Sequence, residues 1–119
     1  MKIGTHIIVD IYDIPEFVFN NLFSKENFFI IDKNIEKILI KNKMNVLQKN
    51  IHHFDNYNGA FTSIYLLSES HLSFHSWPEH SYVAMDIFTC GTCETQKIVD
   101  EILPFFETKK FDIKILERG

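Results

Sequence analysis

Two cysteines in 119 residues, Cys90 and Cys93, are too few to staple a secreted fold with disulfides. They read as thiols, and the cytoplasm is the expected compartment. Long apolar runs are also missing, and Met1-Lys2-Ile3-Gly4 leads straight into a β-like segment, so neither a secretory signal nor a transmembrane helix is expected. Lysine and arginine never cluster. With a formal charge of −4 and a pI near 5.8, no nucleic-acid groove and no polybasic membrane surface is expected, which leaves a small molecule as the partner. The three prolines and four glycines are dispersed, and there is no repeat, low-complexity tract or linker, so one folded unit is expected. What is plentiful is apolar: 45% of the chain is hydrophobic, enough for a real core. A unit this small also leaves room for a second chain to complete a pocket.

The pattern alternates between strand and helix signals. Thr5 to Tyr12 is β-branched and aromatic and stops at Asp13-Ile14-Pro15, where a short helix opens. Between Phe28 and Lys41 the residues Ile31, Ile35, Ile38 and Leu39 recur at helical spacing, with Lys33, Glu36 and Lys37 on the other side. Asn45 to Phe54 and Thr62 to Leu67 read as a hairpin around the turn-forming Asp55-Asn56-Tyr57-Asn58-Gly59. Leu72 to Trp77 and Tyr82 to Thr89 form a second strand pair, with Pro78 at the corner because proline cannot continue a ladder. Ile98, Ile102 and Phe105 or Phe106 mark another helix, ended or kinked by Pro104, and Phe111 to Leu116 closes the chain as a strand. This order predicts an α+β fold, a two-layer α/β sandwich with helices on one face of a mostly antiparallel sheet.

Chemistry concentrates in Ser68-Glu69-Ser70-His71-Leu72-Ser73-Phe74-His75-Ser76-Trp77-Pro78-Glu79 and, one strand later, in Phe88-Thr89-Cys90-Gly91. A hydrolase reading would make Ser70 the nucleophile, His71 or His75 the base and Glu79 its orienter, but the Gly-x-Ser-x-Gly elbow is missing. A metal site could draw on His71, His75, His80, Cys90 and Cys93. Strand spacing, however, sets His71 and His75 about 13 Å apart at roughly 3.3 Å per residue, too far for one ion, and no metal is expected. Cys90-Gly91-Thr92-Cys93 sits between a strand and a helix as a redox motif does, although no tryptophan precedes it and the strand order is not that of a thioredoxin. Each of these readings uses only part of the cluster.

Taken together, Glu69 to Glu79 followed by Ala84-Met85-Asp86-Ile87-Phe88-Thr89-Cys90-Gly91 closely resembles the signature of the prokaryotic S-adenosylmethionine decarboxylases, self-processing pyruvoyl enzymes of polyamine synthesis. The likeness is tight over residues 68 to 91 and loose over most of the rest. A decarboxylase needs an electron sink that ordinary side chains do not offer, and no lysine motif for pyridoxal phosphate stands out. The resemblance implies that the chain makes its own. The Ser70 hydroxyl attacks the Glu69 carbonyl, an ester forms, and elimination leaves a pyruvoyl group on Ser70, dividing the unit into residues 1–69 and 70–119. That ketone then takes the substrate amine as a Schiff base. His75 is implied as the group that assists processing, a task suited to an imidazole titrating near neutrality. Cys90 is implied as the proton donor to the product carbanion, Glu79 as the holder of the ribose hydroxyls and Phe54 as the aromatic under adenine. The family commonly has a serine that assists processing in a Gly-Val-Ser stretch. Here Gly59-Ala60-Phe61-Thr62-Ser63 follows a longer loop, which places Thr62 in that role and leaves Ser63 as the alternative. Decarboxylated S-adenosylmethionine, the aminopropyl donor for spermidine, is the implied product. Ornithine or arginine decarboxylation by the same chemistry is the runner-up, favoured less because a plain amino acid has no ribose for Glu79, and a non-processing structural homologue is the non-enzymatic alternative. A homodimer with both protomers contributing to the pocket is implied as well.

Overall fold

The computed structural model describes residues 3–119. Six strands form one sheet in the order β2-β3-β4-β5-β1-β6, where β1 is Gly4–Ile11, β2 Val46–His53, β3 Phe61–Leu67, β4 Ser70–Trp77, β5 Tyr82–Cys90 and β6 Phe111–Arg118. Every neighbouring pair is antiparallel. Helices α1 (Glu16–Asn21), α2 (Phe28–Lys41) and α3 (Thr95–Ile102) fill the gaps, with short 3₁₀ turns at Pro78–His80 and Leu103–Phe106. The α+β sandwich expected from the pattern is the fold. The last α-helix ends at Ile102 and gives way to the 3₁₀ turn, as expected at Pro104, which lacks the N–H needed to continue an α-helix.

Alternation decides what the sheet covers and what it leaves open. Ile7, Val9 and Ile11 of β1, Leu72 and Phe74 of β4, and Val83, Met85 and Ile87 of β5 are buried. They pack with Val18 and Phe19 of α1, Ile31, Ile35 and Leu39 of α2, and Ile98, Val99 and Ile102 of α3 in one core. Burying a side chain of this size contributes about 1.5–3 kcal/mol, so this face supplies most of the drive to fold. The two layers are also tied by a polar link. Tyr65 of β3, fully buried, donates to Asp32 of α2 at 2.6 Å, and Lys49 of β2 reaches Asp32 at 2.5 Å as well as Glu36. Burial first, and then the Asp32 carboxylate, push the Tyr65 phenol above its ordinary pKa.

The residues between those positions face away from the helices. Across the sheet they form rows: Gln48, Leu66, His71, Phe88, His6 and Leu116 in one, then Asn50, Ile64, Ser73, Asp86, Ile8 and Lys114. The next row is His52, Thr62, His75, Ala84, Asp10 and Asp112, and Trp77 pairs Tyr82 beyond it. Of the side chains singled out from the sequence, this uncovered face carries Thr62, His71 and His75.

Candidate active site

β4 carries the sequence cluster, and its two ends do different things. At the Trp77 end, Thr62 of β3 lies directly across from His75, and the Thr62 hydroxyl meets His75 Nδ1 at 2.5 Å. Strand parity turns Ser63 to the opposite face, where it is 4% exposed and its hydroxyl has no hydrogen-bond partner. A cavity of about 320 Å³ opens beside the Thr62–His75 pair, with Phe54, Tyr57, Trp77 and Glu79 among its walls. A second cavity of about 530 Å³ lies along the sheet on the other side of the same pair, toward His52, His71 and Ser73. The pair therefore stands on the ridge between two open hollows.

The loop under the first cavity is rigidly held. Phe54 N–H donates to the Ala60 carbonyl at 2.9 Å, closing the residues 55–59 into a tight turn. Ser76, buried on the covered face, accepts the Phe61 N–H at 2.8 Å and donates to the Gly59 carbonyl at 2.7 Å. Gly59 has φ +84°, and a Cβ there would sit 2.6 Å from the Phe19 carbonyl oxygen, so a glycine is required for this loop to lie on α1. The opposite wall is braced by stacking. Trp77 stacks on Tyr82 with ring centres 5.5 Å apart, and Tyr82 stacks on Tyr12 at 5.5 Å. The Tyr82 phenol donates to Asp10, and burial together with that carboxylate pushes it up to about 12.

The Ser70 end is built around the Glu69–Ser70 peptide. The Cys90 N–H donates to the Glu69 carbonyl oxygen at 3.0 Å. Ser70 has φ +149°, a value L-residues rarely adopt, at a cost on the order of 1–3 kcal/mol. A backbone N–H aimed at a carbonyl whose oxygen gains charge on attack, beside a strained residue carrying the attacking hydroxyl, suits an acyl shift at this bond. Cys90 is exposed at the end of β5, and Cys93 is partly covered nearby, its thiol pushed up chiefly by burial and then by Cys90 and Glu69.

Ser70 and His75 stand five positions apart along one extended strand, about 17 Å at roughly 3.4 Å per residue. The structure thus brings together Thr62, His75, Phe54 and Glu79 at one end, and Glu69, Ser70 and Cys90 at the other, without joining the two sets within one chain.

A family model described as S-adenosylmethionine decarboxylase matches residues 5–119. The chain belongs to the S-adenosylmethionine decarboxylase family. It is 35% identical to an S-adenosylmethionine decarboxylase proenzyme of Persephonella marina, over 98% of this chain and 83% of that protein. It is 32% identical to the S-adenosylmethionine decarboxylase proenzyme of Archaeoglobus fulgidus over the whole of both chains. The crystal structure of the adenosylmethionine decarboxylase from Aquifex aeolicus VF5 superposes with a TM-score of 0.81 at 26% identity, covering 99% of this chain and 92% of that one. This chain is accordingly a carboxy-lyase whose substrate is S-adenosylmethionine.

Within this decarboxylase fold the middle of the uncovered face holds a cluster that the sequence did not announce. His6 Nε2 and His71 Nε2 meet the same Asp86 oxygen at 2.7 and 3.0 Å, and Ser73 donates to the other oxygen. Partial burial works to raise the Asp86 carboxyl, but the hydrogen bonds from Ser73, His71 and His6 outweigh it and hold the group below its ordinary value. The three ligand-type atoms lie within 4.8 Å of one another, as a metal site requires. Arg118, which can only donate, contacts His6 Nδ1 at 3.2 Å, so the neutral ring carries its proton on Nε2, the atom aimed at Asp86. In that tautomer Nε2 has no lone pair for a metal, and the cluster is a hydrogen-bonded network. Nothing in the sequence pointed to it, because His6 and Asp86 are 80 positions apart and meet only through the β1–β5 pairing.

Proposed function

We propose that the chain is a proenzyme that cuts itself between Glu69 and Ser70, converts Ser70 into a pyruvoyl group, and decarboxylates S-adenosylmethionine as a homodimer whose two sites each draw on both copies. The observation that carries this reading is the division of the site along β4. Proton transfer needs heavy atoms about 2.6–3.2 Å apart, and His75 is far outside that range of Ser70 in its own chain. Two copies stacked through their uncovered faces, about a two-fold axis running across the strands, would set the Ser70 end of each against the His75 end of the other.

The residues then have separate tasks. The Ser70 hydroxyl attacks the Glu69 carbonyl while the Cys90 N–H supports the developing charge on its oxygen. The amide becomes an ester and the nitrogen is freed. The partner's His75, oriented by its bond to the partner's Thr62, removes the Ser70 α-proton, and the ester leaves as the Glu69 carboxylate. One water enters and one ammonia departs. The resulting ketone supplies the electron sink for decarboxylation. Phe54 provides a stacking face for adenine, Glu79 accepts hydrogen bonds from ribose hydroxyls, and Cys90 returns a proton to the substrate carbon. The retained Glu79 supports a nucleoside substrate over ornithine or arginine. The product is the aminopropyl donor for spermidine synthesis, and the cytoplasm is the compartment this reading implies. No described helix is long and apolar enough to cross a membrane.

Denaturing intact-mass measurement of purified protein tests the reading, with Ser70→Ala beside it. Fragments of residues 1–69 and 70–119, the second one ammonia lighter than a serine-terminated chain, are expected from the wild type and not from the variant. A wild-type chain that stays whole under conditions preserving the fold overturns it.

A further inference from the structure

The strained Ser70 does not hold itself. Ser68 and Glu69, just before it, are gripped by Asn45, which lies between α2 and β2. The Asn45 backbone N–H donates to Glu69 Oε1 at 2.9 Å, and its side-chain amide reaches Glu69 Oε2 at 3.3 Å. In the reverse direction the Ser68 N–H donates to the Asn45 carbonyl at 3.0 Å, and the Ser68 hydroxyl adds a bond to Glu69 Oε2 at 3.0 Å. Both ends of Asn45 thus engage the turn between β3 and β4.

The anchor of this grip is firm. Met44, next to Asn45, is buried, and its N–H donates to the Leu39 carbonyl at 2.9 Å, continuing the end of α2. Asn42 caps the same helix end through its N–H bond to the Ile38 carbonyl and its side-chain bond to that carbonyl. Glu69 is therefore fastened from its side chain to Asn45, in the segment joining α2 to β2, and from its carbonyl to Cys90 of β5, while Ser70 already pairs in the ladder with Thr89. A residue fixed on both sides of a peptide bond cannot rotate that bond back to relaxed strand geometry, which is how backbone strain persists where the surroundings over-determine it.

We propose that Asn45 is a positioning residue for self-cleavage: by clamping the Glu69 side chain it holds the Glu69 carbonyl against the Cys90 N–H and keeps Ser70 in its strained backbone conformation. The inference rests on the self-cleavage reading above and concerns its first step. In that step the Ser70 Oγ–carbon bond forms, the carbon–nitrogen bond of the Glu69–Ser70 peptide breaks, and the hydroxyl proton ends on the freed amine, so no co-reactant is needed. Freed from the clamp, Glu69 could turn its carbonyl away and Ser70 could relax, and the hydroxyl would lose its line to the carbonyl carbon. Asn45 touches nothing in the Phe54–Glu79 cavity, so its part ends once the chain is cut. Glu69 stays held afterwards as the new chain end.

The test is the rate at which fragments appear, sampled by denaturing mass after cell-free synthesis of the full chain. Asn45→Ala, which loses only the longer side-chain bond, should slow cutting several-fold. Asn45→Asp sets a second carboxylate against Glu69 and should slow it by about tenfold or more, the loss expected when a hydrogen bond to a charged group becomes a repulsion. Adding Glu69→Gln to Asn45→Asp replaces that repulsion with an amide–carboxylate bond and should restore most of the rate. Once fully cut, the Asn45→Ala enzyme should turn over S-adenosylmethionine with wild-type kcat and KM. Melting of the same substitutions in a Ser70→Ala chain shows whether the fold is intact. Slow cutting by a stable chain, rescued by Glu69→Gln, supports the clamp. Wild-type cutting by Asn45→Asp, or slowing matched by a lost fold and no rescue, overturns the clamp and leaves self-cleavage standing. A wild-type chain that never cuts overturns both.

Discussion

If each site is shared, two dead variants should repair one another. Ser70→Ala has no residue to convert, and His75→Ala has no base for the elimination, so neither alone yields a pyruvoyl fragment. In a mixed dimer the His75→Ala chain keeps Ser70, Glu69 and Cys90, while the Ser70→Ala chain keeps His75 and Thr62. The single complete site is the one that joins the two sets. The separation of about 17 Å along β4 makes this an all-or-none matter, since a proton transfer that requires contact near 3 Å has no partial version at that distance. Random co-refolding of equal amounts makes about half of the dimers mixed, so about half of the His75→Ala chains should be cut and none of the Ser70→Ala chains. Denaturing mass reads this directly, because the 70–119 fragment must carry the alanine at position 75. No fragment from the mixture, when wild-type chain refolded in parallel is cut, would refute the shared site and place His75 and Ser70 together by some rearrangement within one chain.

Four further outcomes follow from particular contacts. Phe54→Ala should raise KM for S-adenosylmethionine by roughly tenfold or more with a smaller change in kcat, since stacking an aromatic on a base contributes about 1–3 kcal/mol; steady-state kinetics of the cut enzyme checks it. Tyr65→Phe leaves a buried Asp32 oxygen short of a donor at a cost on the order of 1–3 kcal/mol, which should lower the melting temperature by roughly 5 °C or more while the cut enzyme keeps its activity. Iodoacetamide should label exposed Cys90 before Cys93, whose thiol burial pushes up and so keeps protonated to higher pH, as peptide mapping of the 70–119 fragment would show. Asp86 has a lowered folded pKa, so its ionised form stabilises the fold fully above the ordinary carboxylate value of about 3.9 and loses that effect only as pH falls below it. The stability gap between wild type and Asp86→Asn in denaturant should accordingly close as pH falls below that value.

Much of the fold was legible because each strand carries its own two-residue period. β1, β4 and β5 alternate buried and open positions with few breaks, and α2 repeats its apolar side at helical spacing. Periodicity says nothing about which strands become neighbours, and the place of β1 between β5 and β6 was not written in any local pattern. That placement is what brings His6 to Asp86. Which of Thr62 and Ser63 faces His75 could have been read one step further: with His75 on the open side of β4, cross-strand pairing sets Thr62 opposite it and turns Ser63 into the core. The strain at Ser70 and the grip of Asn45 are beyond sequence reasoning, since both involve contacts of the β3–β4 turn with Asn45 and with Cys90.

A shared site would also account for so reactive a set of groups on an uncovered sheet. In one copy the cavities beside His75 are open hollows, Leu66 and Trp77 are exposed, and His71, Phe88, Tyr82 and Tyr12 are only partly covered. A carbanion formed there would be quenched by solvent instead of by Cys90. A second copy laid across the face would close both hollows at once and exclude water from the bond that breaks. It would also cover the His6–Asp86–His71 network, and a covered carboxylate is tolerable only if its oxygens are satisfied. Asp86 meets that condition in advance, with two imidazoles on one oxygen and the Ser73 hydroxyl on the other. The polar centre of the face thus meets in advance what covering would require, and in the proposed dimer the chemistry at its two ends would depend on that covering.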